Sequence, residues 1–216
     1  IDASAASFDP IDRKTRALDA AGNLTAYEYD TVGNVIAVAN PDGYRVNLDY
    51  DPMNRVSSAY DQEGNRVSTS RDLLGRVRSI TDPNNNSTTY DYWSSEKDGR
   101  LKRITQPKIQ SFATGQASET DYDANGNVTK LTQIGADAST RDSYRFYDEL
   151  NRPVREVGPL TSVHGAISTR LQTCYQYSNL SDVTEVWAGP STDTVSNVCN
   201  FADGTLKRQV AASYDD

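Results

Sequence analysis

Residues 27–38 read YEYDTVGNVIAV, residues 48–59 read LDYDPMNRVSSA, and residues 69–80 read TSRDLLGRVRSI. Each copy begins 21 residues after the previous one, and each places an Asp three residues before a Gly or an Asn. The Tyr-Asp pattern returns with looser spacing at Tyr122 and Tyr147. Because self-similarity at a fixed period is the signature of a repeat architecture, this stretch decides the fold.

Each copy carries the chemistry of a tight turn. An Asp at the first position of a type I turn accepts hydrogen bonds from the turn amides. The fourth residue must then adopt a left-handed backbone conformation, which Gly enters freely and Asn tolerates, and the result is a bulged hairpin loop. We therefore predict a structural signature formed by Tyr29, Asp30, Gly33 and Asn34 and their counterparts Asp51, Asn54, Asp72, Gly75, Asp123, Gly126, Asp148 and Asn151.

Between the turns, polar and apolar residues alternate as they do in strands. In Tyr44–Tyr50, Tyr, Val and Leu occupy one face, while Arg, Asn and Asp occupy the other. Because a lone hairpin is marginal in water, such units must stack edge to edge. The predicted fold is all-β: an array of ~21-residue β-hairpin repeats in a curved antiparallel sheet, which strand twist winds into a spiral.

The organisation and composition of the chain agree with this fold. We expect a single repeat segment over residues 1–216, regular at 22–93 and looser, with inserts, at 94–216. The chain has 23 Asp but 7 Glu, so turn formers exceed helix formers. Its net charge of -8 argues against nucleic acid as a partner, because phosphate binding requires clustered Lys and Arg. No stretch approaches the ~18 apolar residues of a membrane span.

The quoted units resemble YD repeats, also called RHS repeats. The signature of that family is a Tyr-Asp pair, then Gly-Asn or Gly-Arg beginning three residues after the Asp, then an apolar strand residue. The resemblance is strongest over residues 22–93 and weaker over residues 119–157. The family includes bacterial Rhs proteins, the B and C components of insecticidal toxin complexes, and the animal teneurins.

The resemblance implies a structural role. Family members are large secreted or surface proteins whose repeats form a sheet that spirals into a hollow shell, and in the toxins this shell encloses a C-terminal toxin. We therefore expect a non-enzymatic, extracellular, bacterial fragment that forms part of such a shell or scaffold. Its partners would be the remainder of a longer RHS-type chain or the cargo of that chain. Open sheet edges also predict self-association.

The alternative is a binding module that recognises carbohydrate or a partner protein through an exposed sheet face or an insert. Trp93 and Trp187 are the candidates for stacking on such a ligand, although an aromatic side chain beside an insert more often covers an apolar seam. An enzyme is disfavoured because no nucleophile, base and orienting group come together, and the single His, His164, lies in a loop-like stretch.

Two further features of the sequence are candidates for a metal or redox site. Cys174 and Cys199 are 25 residues apart and fit no zinc or redox motif, which leaves a disulfide or two free thiols. In the extracellular chain that the resemblance implies, the disulfide is favoured. Residues 121–126 match the first half of a calcium loop, but Thr132 stands where the loop requires Glu. We expect no metal and no cofactor.

Overall fold

The computed structural model describes residues 5–108, 114–163, 167–191 and 206–211, together with Cys199 and Phe201. The chain divides into two compact units, residues 1–89 and residues 90–216. In the described ranges, the regular elements are β-strands and one 3₁₀ turn at Ser95–Lys97. The prediction of an all-β array of antiparallel hairpins is confirmed. The prediction of one segment over residues 1–216 stays a prediction.

The first unit is a meander in which each strand pairs antiparallel with the next one along the chain. Its strands are β1 (Ala5–Phe8), β2 (Lys14–Leu18), β3 (Leu24–Tyr29), β4 (Val35–Ala39), β5 (Arg45–Tyr50), β6 (Val56–Asp61), β7 (Arg66–Arg71), β8 (Val77–Thr81) and the start of β9 (Ser87–Tyr92).

The second unit continues the antiparallel pattern with longer strands. They are β10 (Leu101–Lys108), β11 (Gly115–Tyr122), β12 (Val128–Ile134), β13 (Thr140–Tyr147), β14 (Pro153–Val157), β15 (Thr161–Val163), β16 (Ile167–Tyr177), β17 (Val183–Ser191) and β18 (Lys207–Ala211). The long strand β16 pairs with β15 through its first residues and with β14 through its middle. The looser sequence region therefore retains the hairpin stack.

A register shift accompanies the turns of the Tyr-Asp type. In the first unit it lies between Glu28 and Tyr29 and recurs between Asp49 and Tyr50. In the second unit it recurs immediately before Tyr122, Tyr147 and Tyr177. A hairpin loop whose last turn residue is left-handed produces this kind of bulge, so local turn chemistry sets the register of the sheet.

In the described part of the first unit, few side chains are buried on either face of the sheet. The apolar face predicted by the alternation in Tyr44–Tyr50 remains partly open, because Val67 is 43% exposed and Ile80 is 37% exposed. The residues that are buried in the described part of this unit are the small Ala37 and Ser58, which lie on the polar face. Backbone hydrogen bonds between strands and polar side-chain networks therefore contribute much of the stability of this unit.

Candidate functional site: the Tyr-Asp turns

The turn that follows Tyr29 shows how the signature residues act. The backbone amide of Asp30 donates to the carbonyl of Asn34 at 2.9 Å, and the amide of Gly33 donates to the carbonyl of Asp30 at 3.3 Å. One carboxylate oxygen of Asp30 accepts the amides of Val32 and Asn34 at 3.0 and 2.8 Å. The other accepts the Asn34 side-chain amide at 2.8 Å. Gly33, with φ +103°, takes the left-handed position.

The same geometry recurs at the turns of each unit. The fourth turn residue has positive φ at Asp12, Gly22, Gly33, Gly43, Asn54, Gly64, Gly75, Asn85, Gly126, Ala138, Asn151 and Ser181. Of the signature residues, Gly33, Asn54, Gly75, Gly126 and Asn151 stand in this position, whereas Asn34 is the fifth residue of its turn. The turns that end at Ala138 and Ser181 were missed, because they begin with Gly135 and Ser178 and lack the Asp that defined the pattern.

In the turns that begin with Asp, the side chain of the fifth residue also donates to the Asp carboxylate. The Arg55 Nε donates to Asp51 at 2.8 Å, and Arg13, Arg76 and Arg152 bind the Asp of their own turns in the same way. The position of Arg55, Arg76 and Arg152 just after the turn predicts bonds to neighbouring carboxylates across the ladder, whereas each of them binds the Asp of its own turn. The side-chain hydrogen bond from Arg55 lowers the pKa of Asp51. The amide side chain of Asn65 likewise lowers the pKa of Asp61, to about 2.

The signature tyrosines reach across to the preceding hairpin. The Tyr50 hydroxyl donates to the carbonyl of Val35 at 2.7 Å, and the Tyr29 hydroxyl donates to the carbonyl of Lys14 at 2.8 Å. In the second unit, Tyr122, Tyr147 and Tyr177 make the same kind of bond to Leu101, Val128 and Pro153 at 3.0, 3.1 and 2.7 Å. Packing is the default role for a strand Tyr, so sequence reasoning missed this bond.

Successive Tyr-Asp turns of the first unit also contact each other through their side chains. We call the turns at residues 9–13, 30–34, 51–55 and 72–76 the Tyr-Asp edge of the first unit. The Arg13 guanidinium donates to the carbonyl of Asp30 at 3.0 Å and lies 4.7 Å from the centroid of the Tyr29 ring. The Asn34 side chain donates to the side chain of Asn54 at 3.0 Å. Side-chain hydrogen bonds therefore link the first three of these turns.

On the polar face, ion pairs span alternate strands. Arg45 of β5 binds both carboxylate oxygens of Glu28 in β3, at 2.5 and 2.6 Å, and the strand between them, β4, carries the buried Ala37, which is the ladder partner of Glu28. One repeat later, Asp49 and Arg66 pair at 2.9 Å, and both contact Ser58. The small residue on the middle strand leaves room for the longer side chains to meet above it.

The second unit has a buried charged residue on one face of its sheet. Arg155 is 2% exposed, and its guanidinium donates to Gln172 at 2.8 Å and to Ser191 at 2.8 Å. Its charge also lies 5.7 Å from the centroid of the Phe146 ring. A buried guanidinium needs such partners, because an unsatisfied charge in the interior is strongly destabilising.

A disulfide and an aromatic pair lie in the same part of the second unit. The structure joins Cys174, which is fully buried, to Cys199. Trp187 is the ladder partner of Cys174, and its ring meets Phe201 edge-on at a centroid distance of 5.5 Å. Leu206 is buried as well. Trp187 thus lies in a small apolar cluster.

Trp93 has a different environment. The ammonium groups of Lys97 and Lys102 lie 4.4 and 4.5 Å from the centroid of its indole ring. Its Nε1 donates to the carbonyl of Thr120 at 3.0 Å. The indole ring of Trp93 is therefore in contact with two lysines, and its Nε1 is hydrogen-bonded within the protein. Carbohydrate stacking on Trp93 and Trp187 stays a prediction.

In the calcium-like segment, Asp121 forms an ion pair with Lys97, whereas Asp123 closes its turn by accepting from Asn127. Among the residues that the structure describes, no three His, Cys, Asp or Glu side chains form a group able to hold a metal ion. His164 lies outside the described residues. In the described part of the chain, no helix has the length and apolar character to cross a membrane.

Part of this array of turns matches a known repeat family. Residues 29–66 match the model of the RHS Repeat. No curated protein sequence matches the chain. A crystal structure of TcdB2-TccC3 superimposes with a TM-score of 0.62 and 15% identity, over 94% of this chain and 12% of that chain. A mutant Tc holotoxin pore of Photorhabdus luminescens gives a TM-score of 0.60 and 15% identity, over 86% of this chain and 9% of that one.

A third structure, TcdB2-TccC3 without its hypervariable C-terminal region, gives a TM-score of 0.59 with 15% identity and covers 86% of this chain. This chain spans 9% to 12% of the length of the three matched chains. At 15% identity, this similarity is one of fold alone. Together with the repeat match over residues 29–66, it supports a structural, RHS-type scaffold. The chain therefore carries the RHS repeat, and the resemblance to the YD- or RHS-repeat family that its sequence predicts is confirmed.

Proposed function

We propose that this chain forms part of the wall of a larger, secreted or cell-surface RHS-type protein, and that this wall encloses a C-terminal toxin as in the relatives. The role is structural and not enzymatic. Its partners are the remainder of the longer chain and its cargo, and exposed sheet edges allow self-association. Support for the bacterial and extracellular setting comes from the Tc toxin structures that share the fold.

The observation that carries this proposal is the recurrent bond from a signature Tyr to the preceding hairpin. Because Tyr29 and Tyr50 each bind a carbonyl of the previous strand, every hairpin positions the next one. Nearest-neighbour locking of this kind lets a repeat array extend by adding identical units. A wall needs this extensibility.

A chimera tests the proposal. Residues 24–65 contain two complete repeat units, and they would replace the two structurally equivalent hairpins of TcdB2-TccC3. We expect the chimera to assemble as the parent does, as judged by electron microscopy and by the protease resistance of the enclosed region. The matched control carries Tyr29→Phe and Tyr50→Phe in the grafted segment and should assemble less stably. A chimera that is β-rich but never assembles would contradict a wall function.

A further inference from the structure

Asn125 is the one asparagine of the sequence that is followed by Gly. It is the third residue of the Tyr-Asp turn at residues 123–127, and its side chain is exposed. In an Asn-Gly pair, the backbone nitrogen of Gly can attack the side-chain carbonyl carbon of Asn. Because Gly has no Cβ, its own side chain does not block this approach. The turn therefore contains the two groups that react when an Asn loses ammonia.

A guanidinium lies against the attacking residue. Arg100 occupies the space that a Cβ at Gly126 would need, which puts its charge within about 4 Å of the Gly126 Cα. The ion pair of Arg100 with Asp98 is long, at 3.6 Å, and Asp98 is exposed, so this carboxylate neutralises the cation only in part. A positive charge at this place stabilises the negative charge that develops first on the amide nitrogen and then on the oxygen of the tetrahedral intermediate.

Other turns of the chain have one of these features without the rest. Arg55 lies against Gly75 in the same way, but a Leu precedes that Gly. Asn34 and Asn127 are each followed by Val, whose branched side chain hinders attack by its backbone nitrogen. Among the residues that the structure describes, Asn125 is thus the asparagine that combines a following Gly with a guanidinium beside that Gly.

We propose that Asn125 is a site of spontaneous deamidation and that Arg100 accelerates the reaction. The Gly126 nitrogen gives its proton to hydroxide and forms a bond to Cγ of Asn125. The Nδ2 of Asn125 takes a proton from water and leaves as ammonia, so that a five-membered succinimide joins the two residues. Water then opens the ring at one of its two carbonyl carbons. The chain gains Asp or isoaspartate at position 125, and the net change is the exchange of ammonia for water.

Two hydrogen bonds must open before the attack. The Gly126 amide donates to the carbonyl of Asp123 at 3.1 Å, and the Nδ2 of Asn125 donates to Oδ1 of Asn151 at 2.8 Å. Both bonds lie in an exposed turn, where local opening costs far less than global unfolding. The bonds between the first and fifth residues of the turn keep Gly126 beside the guanidinium when these two bonds open. The reaction therefore proceeds from a locally opened turn in a folded chain.

Deamidation changes the contact between two turns. Asn125 and Asn127 both donate to Oδ1 of Asn151 at 2.8 Å, and these bonds join the turn to the next one, at residues 148–152. An Asp at position 125 removes one of the two donors. An isoaspartate also inserts one methylene into the backbone of the turn and disrupts its hydrogen bonds. Deamidated chains should therefore melt about 2–6 °C below the native chain.

Peptide mapping by mass spectrometry tests the proposal on the full, folded chain. The protein is incubated in mildly alkaline buffer, and the gain in mass that accompanies the replacement of ammonia by water is followed at each asparagine. We expect Asn125 to react first, while Asn34 and Asn127 remain intact over the same period. Asn125→Gln should abolish the early release of ammonia. The proposal is wrong if Asn125 reacts no faster than Asn34 and Asn127.

Variants of Arg100 test the role of the guanidinium. Arg100→Gln should slow deamidation of Asn125 about five-fold, and Arg100→Lys, which keeps the charge, should restore most of the rate. The matched control is Arg55→Gln, which removes the corresponding guanidinium beside Gly75 and should leave the rate at Asn125 unchanged. In concentrated urea, the native chain and Arg100→Gln should react equally fast, because unfolding removes the guanidinium from Gly126.

A salt titration covers the case in which Arg100→Gln fails to fold. Added salt screens an exposed charge, so it should slow deamidation of Asn125 in the folded native chain. The same salt should have little effect on the unfolded chain in urea. A native rate that does not respond to salt, or equal rates for the folded native chain and folded Arg100→Gln, would refute the role of Arg100.

Discussion

The hydroxyl of Tyr50 donates a 2.7 Å hydrogen bond to the carbonyl oxygen of Val35, the first residue of β4. Val35 follows Asp30 by five residues, and Lys14, which accepts from Tyr29, follows Asp9 by five residues. The Tyr of one repeat thus holds the start of the strand that leaves the previous Tyr-Asp turn. This relationship gives a physical reason for the pairing of Tyr with Asp: Asp closes its own turn, and Tyr ties that turn to its neighbour.

Removing one such hydroxyl should destabilise the protein measurably. We expect Tyr50→Phe to lower the free energy of unfolding by about 0.5–1.5 kcal/mol, because the ring remains while one hydrogen bond to a backbone carbonyl is lost. Urea denaturation followed by circular dichroism measures this. The control is Tyr27→Phe, whose hydroxyl has no hydrogen bond within the described ranges. Equal effects of the two changes would show that the bond to Val35 does not matter.

Gly33 should resist substitution for a backbone reason alone. Its φ is +103°, yet a Cβ at this position would meet no atom within 4 Å. Gly33→Val should therefore cost about 1–2 kcal/mol, because a β-branched residue strongly disfavours positive φ. Gly33→Asn should cost less, since Asn54 occupies the corresponding position in the next repeat with φ +57°. Thermal unfolding compares the two variants, and an unchanged melting temperature for Gly33→Val would refute the turn assignment.

The turn carboxylates should make the fold sensitive to acid. Hydrogen bonds lower the pKa of Asp51 and Asp61 in the folded chain, the latter to about 2 from the usual 3.8. Stability that comes from a lowered pKa is complete above the unfolded value and is lost as the pH falls through the folded value. Melting temperature should thus be flat above about pH 5 and fall between about pH 4 and pH 2. Asp61→Asn should flatten this fall, and a melting temperature that is unchanged at pH 2.5 would exclude the effect.

The disulfide should stabilise the second unit. Cys174 and Cys199 close a loop of 25 residues, for which the loss of chain entropy in the unfolded state contributes about 3 kcal/mol. We expect Cys174→Ala combined with Cys199→Ala to lower the free energy of unfolding by that amount. Alkylation of the non-reduced, denatured native chain should detect no free thiol. Two modified cysteines per chain would mean that the bond does not form.

Buried and exposed arginines should respond differently to the same conservative change. Arg155→Lys retains the charge but cannot preserve the fixed geometry toward Gln172 and Ser191, so we expect a loss of about 2–3 kcal/mol. Arg45→Lys on the exposed ion pair with Glu28 should cost no more than about 1 kcal/mol. Chemical denaturation of both variants compares the two sites. A larger effect at Arg45 would reverse the roles assigned to them.

Features that depend on a few consecutive residues can be predicted from the sequence. The period, the positions of the turns that begin with Asp and the need for Gly33 or Asn54 follow from hydrogen bonds that span four residues and from the φ preference of one residue. The alternation of faces in Tyr44–Tyr50 is equally local, because successive side chains of a strand point in opposite directions. Such local features can therefore be predicted from a short stretch of sequence.

The contacts between residues that are distant in the sequence depend on the tertiary structure. The bond from Tyr50 to Val35 joins residues 15 apart, and the bond from Arg155 to Ser191 joins residues 36 apart. Whether a strand Tyr packs or donates, and whether an Arg lies in solvent or in the interior, depends on which strands lie side by side and what covers them. These relations arise from packing, whose partners no short stretch of sequence specifies.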